Sequence, residues 1–598
     1  MSSWSPRRAV GLATGLVLVL GVAAVYAPSL GNDFVHDDHE VIEAQPRPAH
    51  PGELVRVFFE PHFEGLPYYR PVTRATLLLQ LWLHGPHPAP FRAANALLMG
   101  LAALLACGVL RSPALGVGRA PALAAAALFG LHPVASSCVY PVASGRETLM
   151  PAVLLLGALA AWLRDRRGLA FAAFGAALFA KEQAVVMPGV FLLADALGLG
   201  PGARPSRAAD WARRYAPLVP IVLVYALARH ALFGGEGAYA LAVLEHPEGP
   251  LLSLFYGLQV AIAPFHSLVY EPELQVWGSW PRALGVAAVC GASALAVRRL
   301  GAPEARVLVF WTGFFVLVQM PTANWLEQEA RFAERYAFLA LLAPLAVAAG
   351  WATRVLEIPR ARPWLVCATA LALFAAATVS VERAGSFRDD ESFARRWLAN
   401  DPESPDAHHL LGLSLVQRGR PGDALPHYRA ALRASPDSVD IHHNLGTALA
   451  LVGRRDEAVA QLREALARNP EHPEALVNLG QLLAAGGQLT EAEEAYRSAL
   501  RVAPREAAAH NSLGVLLARR GALDEAATHF AQAVRLRPDH GEAWRNLGLA
   551  QLGRGDDEAA AAAFRNALAV DPGDGASRAR LRELERRERE PRPPGPES

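Results

Sequence analysis

The chain has 598 residues, 52% of them apolar, and a formal net charge of +1. That balance excludes a strongly basic nucleic-acid binder, and the length allows several domains. The four cysteines (Cys107, Cys138, Cys290, Cys367) lie in or beside apolar runs and give neither a disulfide framework nor a zinc spacing.

A helix needs roughly 20 mostly apolar residues to cross a bilayer. Residues 9–30 form the first such run. The "VYA" at 25–27 fits a cleavage site, but the run is long for a signal peptide and is expected to be an uncleaved anchor. Directly after it comes "NDFVHDDHEVI" at 32–42, where Asp37 and Asp38 stand between histidines. The stretch "YYRPVTRATLLLQLWLHG" at 68–85 contributes Arg70 and reads as an amphipathic segment lying in the interface.

Apolar runs follow at 91–110, 120–139 and 147–163. The segment "LFGLHPVASSCVYPVASGRETLM" carries His132, Arg146 and Glu147 at the outer end of the third span. The stretch 168–199 is expected to form two short spans broken at Lys181-Glu182. Lys181 is the one lysine among 57 basic residues. With abundant alanine, this reads as a G+C-rich bacterial coding bias that turns lysine into arginine wherever function tolerates it. An ammonium and a guanidinium are not interchangeable, so Lys181 marks a candidate site.

Further runs lie at 215–232, 283–297, 304–320, 336–353 and 363–381, and "EARFAERYAFL" supplies Glu334 and Arg335. Short cytoplasmic loops carry the excess of arginine. Applied to all loops, that rule makes 251–269 re-entrant or interfacial and gives about eleven crossings. The Asp37-Asp38 loop, the Lys181 break, 321–335 and everything after 382 then share the external side, the periplasmic face of a bacterial inner membrane.

From residue 405 the chain repeats with a period of 34: "HHNLGTALALVG", "LVNLGQLLAAGG", "HNSLGVLLARRG" and their neighbours. In the fourth repeat the pattern reads Leu513, Gly514, Gly521, Ala526, Phe530, Ala533 and Pro538. This is the tetratricopeptide signature, matched five times in register. Asn444, Asn478 and Asn546 recur before the Leu-Gly pair. They are candidates for hydrogen-bonding an extended acceptor peptide, or they follow from duplication alone. The histidine pairs 408–409 and 442–443 read as surface residues.

The expected chain is therefore all-α. Residues 1–385 form a polytopic transmembrane bundle, 386–404 a linker, 405–574 five repeats in an α-solenoid, 575–590 a charged capping helix and 591–598 a disordered tail.

Ionisable groups at membrane depth are functional suspects, because each is costly unless paired or hydrated. The blocks "FVHDD", "YRPVT", "LHPV", "SGRETL", "AKE" and "AERYAFL" stand in one order ahead of the repeats. In that order residues 26–340 resemble the transmembrane-and-tetratricopeptide protein O-mannosyltransferases of the GT-C membrane glycosyltransferase class. The resemblance implies an inverting transfer of a sugar, mannose or another hexose, from a polyprenyl-phosphate donor to a Ser/Thr hydroxyl of a protein recruited by the repeats. It implies that Asp37 or Asp38 is the general base, and that repulsion between the adjacent carboxylates raises one proton affinity. Arg70, Arg146, Lys181 and Arg335 would meet the leaving phosphate, with His132, Glu147, Glu182 and Glu334 in support. His36, His39 and Glu40 make a divalent metal conceivable, but no obligatory cofactor or metal is expected. Two other readings compete: a lipid-linked glycan ligase or polymerase, and a non-enzymatic tetratricopeptide scaffold of the cell envelope.

Overall fold

A computed structural model of the chain describes residues 6–60, 69–200, 205–233, 302–322 and 334–589, with positions 254 and 258. Every regular element among the described residues is a helix. The chain divides into two compact units, Met1–Pro402 and Glu403–Ser598.

The first unit is built on Pro88–Leu110, which packs against Pro6–Val25 on one side and Val142–Trp162 on another. Proline opens the Pro88–Leu110 helix, where its missing N–H costs nothing. Small residues let the backbones close in. An added Cβ at Gly145 would fall on the carbonyl of Cys138 and 3.1 Å from Asn95 Nδ2, so no other residue fits there without displacing backbone.

Two breaks shape this unit. Arg119–Leu131 and Pro133–Val139 meet at 54° across His132. Arg167–Ala180 ends where Lys181 turns extended (φ −161°, ψ 134°), and Glu182–Val186 then leads into Met187–Ala196. At 14 and 10 residues neither helix reaches the length expected of a span.

Among the described residues three helices are long and apolar enough to cross a membrane: Pro88–Leu110, Val142–Trp162 and Arg362–Phe387. The count rises to five if each bent pair is one span, and Ala9–Val25, Arg167–Ala180 and Leu342–Val355 are shorter apolar helices. This is fewer than the eleven crossings expected from sequence. Apart from positions 254 and 258, the runs 251–269 and 283–297 lie outside the described residues. Arg362–Phe387 is almost bare, with Trp364 77%, Leu371 68% and Phe374 69% exposed. A contiguous apolar surface of this kind marks contact with something other than water.

The segment 386–404 is not a plain linker. Asp389 caps the helix Asp390–Asn400 by accepting the Ser392 N–H at 2.9 Å, and Phe393 and Trp397 are buried in the first unit. An aromatic i, i+4 pair on one helix face gives the segment an apolar side that a linker would lack.

The second unit is five antiparallel helix pairs, from Pro405–Gln417 with Pro421–Ala434 to Gly541–Gly553 with Asp557–Val570, closed by Gly575–Arg589. Ser404 and Ser438 cap the first helices of two pairs, and His472 and His540 cap two others through their side chains. Leu584 of the last helix packs on Ala560, Ala561 and Phe564 and covers the end of the stack. Residues 591–598 lie outside the described residues.

Within each pair the first helix approaches the second through its glycine. An added Cβ at Gly514 would sit 2.8 Å from the Phe530 ring, which is 2% exposed and has no room to retreat. Gly514→Ala is therefore expected to destabilise the repeats by about 1–3 kcal/mol through overpacking. The check is thermal unfolding of the full chain followed by helical circular dichroism, where the repeat transition should move to lower temperature.

Candidate functional site

The loop after the first helix is pinned by its apolar residues. Phe34 and Ile42 bury against Leu77, Leu81, Phe91 and Val142. Between them the Asp38 side chain turns inward and is fully buried. Its Oδ1 accepts the Ala143 N–H at 2.7 Å, and Oδ2 accepts those of Val142 at 3.0 Å and Val35 at 3.3 Å. The first N–H groups of a helix have no partner in their own helix, and here the N-cap is Pro141, with no side-chain acceptor to offer. Asp38 fills that role from a loop more than 100 residues earlier in the chain, at the positive end of the helix dipole.

Arg92 compensates the charge. It is fully buried, donates to the carbonyls of Asp33 and Tyr140, and acts electrostatically on Asp38. Its Nε has no hydrogen-bond partner among the described residues. Sequence reasoning missed Arg92. It stands at the head of an apolar run, and the signal that would have found it is an ionisable residue inside a span.

Burial pushes the Asp38 carboxyl up to about 6, against the pull of the three backbone donors and Arg92. Burial, rather than repulsion from Asp37 as expected from sequence, is the cause.

Asp37 is the more exposed of the two. Its side chain is 40% exposed and pairs with the His36 imidazole. It lines a cleft with His36, Ser137, Ser144 and Arg335, walled on one side by Phe387 and Phe393. Burial raises its carboxyl, but the hydrogen bond and charge of His36 and the charge of Arg335 outweigh this and leave it below its ordinary value. Asp37 is thus an ionised acceptor at neutral pH, and Asp38 is a buried anchor.

A second cluster lies at the Lys181 break. Arg70 puts Nε and NH2 on Glu182, at 3.1 and 2.6 Å, and NH1 on Glu147 at 2.5 Å. This forked pairing sets the Arg70 guanidinium against two carboxylates, Glu147 and Glu182. Arg146 does not pair with Glu147. It donates to Asn95 Oδ1 at 2.7 Å, Gln80 Oε1 at 2.7 Å and Thr76 Oγ1 at 3.3 Å, all neutral, and so keeps its charge in a buried place.

Lys181 is 5% exposed, and its ammonium has no hydrogen bond or ion pair among the described residues. Arg335 and Glu147 act electrostatically on both Lys181 and Asp37. His132 accepts the Val134 N–H at 3.3 Å and caps the Pro133 helix. Glu334 opens the turn Glu334–Ala337, and its side chain lies outside the described residues. No three His, Cys, Asp or Glu side chains converge as a metal site among the described residues.

In the repeats, Asn444 Nδ2 meets His409 Nε2 at 2.8 Å and Asn478 Nδ2 meets His443 Nε2 at 2.9 Å. Asn546 Nδ2 donates to Asn511 Oδ1 at 3.0 Å. Each amide nitrogen ties its repeat to the one before, which accounts for the recurrence of asparagine without a bound peptide. The paired histidines are part of this internal bonding: His442 also reaches Gln461 Oε1 at 2.8 Å, and His408 Nδ1 meets His427 Nδ1 at 3.0 Å.

Comparison with known proteins places the repeats. Residues 415–463, 443–501, 485–536 and 523–575 match tetratricopeptide repeat families. No curated protein matches the chain. Solved structures with a similar fold include a thermophilic TPR protein of Thermus thermophilus (25% identity, 30% of this chain and 99% of that one, TM-score 0.27). YrrB, titled a TPR protein with an unusual peptide-binding site, is 20% identical over 32% of this chain and 97% of its own, with TM-score 0.27. PilF of Pseudomonas aeruginosa is 21% identical over 34% of this chain and 89% of its own, with TM-score 0.30. The C-terminal region is therefore a tetratricopeptide repeat domain, the kind of module that binds peptides or proteins.

The two aspartates should separate by stability. An asparagine at 38 turns an N–H2 toward a backbone N–H whichever way it sits, and should cost about 1–3 kcal/mol. Asp37→Asn, on the exposed side, should change stability by less than about 1 kcal/mol. The Asp38 carboxyl is raised in the folded chain, so its contribution to stability is complete below the unfolded value of 3.8 and is lost as pH rises through about 6. Melting curves of wild type and Asp38→Asn between pH 4 and pH 7 should accordingly draw apart as the pH falls.

Proposed function

We propose that the chain is an integral-membrane glycosyltransferase that moves a hexose from a polyprenyl phosphate to an acceptor hydroxyl, with the tetratricopeptide repeats recruiting a protein acceptor. One observation carries this reading. A buried ammonium with no hydrogen bond or ion pair among the described residues, Lys181, shares two electrostatic neighbours, Arg335 and Glu147, with a half-exposed carboxylate, Asp37. A base and a buried cation that share charged neighbours suit displacement of an anionic leaving group. The ordered motif blocks add support, as does the bare apolar surface of Arg362–Phe387.

Asp37 accepts the proton of the acceptor hydroxyl while the hydroxyl oxygen attacks the anomeric carbon from the face opposite the phosphate. The bond from the anomeric carbon to the phosphate oxygen breaks, and the electron pair leaves with the phosphate. Lys181 and Arg335 meet the charge that develops there. With its affinity held below the ordinary value, Asp37 is a modest base, so proton transfer trails departure of the phosphate. Arg70 holds Glu147 and Glu182 in place beside Lys181. Asp38 fixes the turn that presents Asp37.

A second reading, the non-enzymatic scaffold, is favoured by the family matches, which fall within 415–575. On that reading the first unit anchors the repeats, and the charges of the Lys181 cluster serve folding.

Transfer assayed on the purified full chain with a polyprenyl-phosphate hexose should drop roughly 10²–10⁴-fold in Asp37→Asn, as for loss of a general base. In Lys181→Met it should drop roughly 10²–10³-fold. Glycan mass analysis of external proteins from cells carrying these variants should lose a hexose adduct at equal chain abundance. If every variant retains the wild-type glycan profile, while deletion of 403–598 disperses an envelope complex, the scaffold reading replaces this one.

A further inference from the structure

The loop that carries Asp37 does not hold itself. His36, the residue before it, sits at φ +51°, a left-handed conformation that L side chains rarely adopt. Backbone of this kind persists only where the surroundings impose it. The surroundings here come from the segment after the last long apolar helix. Asn32 Nδ2 donates to the carbonyls of Ala384 at 2.8 Å and Phe387 at 3.0 Å, and the Asp33 N–H donates to the carbonyl of Arg388 at 2.8 Å.

The strained residue itself is held by Asp390. Its Oδ1 accepts the His36 N–H at 2.8 Å, and its Oδ2 stands 3.2 Å from His39 Nε2. The other ring nitrogen of His39 meets Glu43 at 2.5 Å. Phe393 and Trp397, one and two turns further along the same helix, set their rings 5.9 and 6.3 Å from that of His36. A carboxylate in the first turn of a helix is ordinarily a local dipole partner. The Asp390 carboxylate, 13% exposed, is instead directed at a loop more than 350 residues earlier.

We infer that Asp390 is a positioning residue, which clamps the left-handed turn at His36 from both sides of Asp37 and so sets the direction of the Asp37 carboxylate. Its effect on turnover rests on the glycosyl-transfer reading above, whereas the clamp does not. The carboxylate bridges position 36 and position 39, so Asp37 lies inside a span closed by a single side chain. The Asp390 helix also supplies Phe393, and the turn before it Phe387, to the wall of the Asp37 cleft. The site is completed by the segment through which the chain leaves the first unit.

The test is amide hydrogen exchange by mass spectrometry on the full chain in detergent, comparing wild type, Asp390→Ala and Asp390→Asn, with kcat and KM for the polyprenyl-phosphate hexose measured in parallel. In Asp390→Ala, exchange over 32–43 should quicken about tenfold or more, as for loss of a hydrogen bond to a charged acceptor. Exchange over 88–110 and in the repeats should not change. kcat should fall about a hundredfold with donor KM unmoved, as for a misdirected catalytic group.

Asparagine keeps an acceptor for the His36 N–H, so Asp390→Asn should restore slow exchange and most of kcat. Unchanged exchange over 32–43 in Asp390→Ala overturns the clamp. Faster exchange with full kcat overturns the positioning role. If Asp390→Ala loosens 88–110 as well, the asparagine variant decides: exchange as fast as in the alanine variant overturns the proposal. If the wild type transfers no sugar yet the loop loosens in Asp390→Ala, the transfer reading falls and the clamp stands.

Discussion

The first unit depends on one buried carboxylate. Helix Val142–Trp162 begins after a proline and has no side chain of its own to receive its first N–H groups. Left unmet in an apolar interior, each would cost about 1–3 kcal/mol. Asp38 receives two of them, and a third from Val35, and so welds the first loop to the start of that helix. A buried carboxylate is itself costly unless paired. Arg92 supplies the opposite charge from the adjacent helix, and its own donors are drawn onto the carbonyls of Asp33 and Tyr140 at either side. The loop, the helix start and the Pro88 helix therefore form one arrangement. Removing any part leaves a charge or a donor stranded in the others.

The weld also explains how neighbours in sequence come to do different things. Asp38 must face inward to reach Val142 and Ala143, whereas Asp37, after the left-handed turn at His36, is left half-exposed in the cleft. Arg146 and Glu147 divide in the same manner, the first to neutral partners around Asn95 and the second to Arg70. In both pairs the backbone gives adjacent charges different surroundings.

The repeats were legible in the sequence because one helix contact is made five times. Each contact needs a glycine opposite a large side chain, as at Gly446 with Leu462 or Gly514 with Phe530, so residue type recurs at a fixed spacing. The types of the candidate site residues were visible too, as ionisable groups interrupting apolar runs. Their partners were not. Arg92 disappears into the average hydropathy of its run, and Asp390 is separated from His36 by most of the first unit, a distance no local pattern spans. The asparagines show the converse. A 34-residue period places each next to its predecessor's helix, and the amide meets a partner 35 residues back before any groove ligand is needed.

The single lysine has a physical reason that composition alone only hinted at. A guanidinium presents five N–H donors in a rigid plane and is stable when buried only if acceptors lie in that plane. Arg70 has them in Glu182 and Glu147, and Arg146 has them in Asn95, Gln80 and Thr76. At Lys181 the two nearby carboxylates are already held by Arg70, and no acceptor among the described residues reaches the ammonium. An arginine there would compete with Arg70 for Glu147 and Glu182 and disturb the fork that holds them. A compact ammonium keeps the positive charge in place without disturbing that fork. That is reason enough for one lysine to persist in a chain that otherwise writes its cations as arginine.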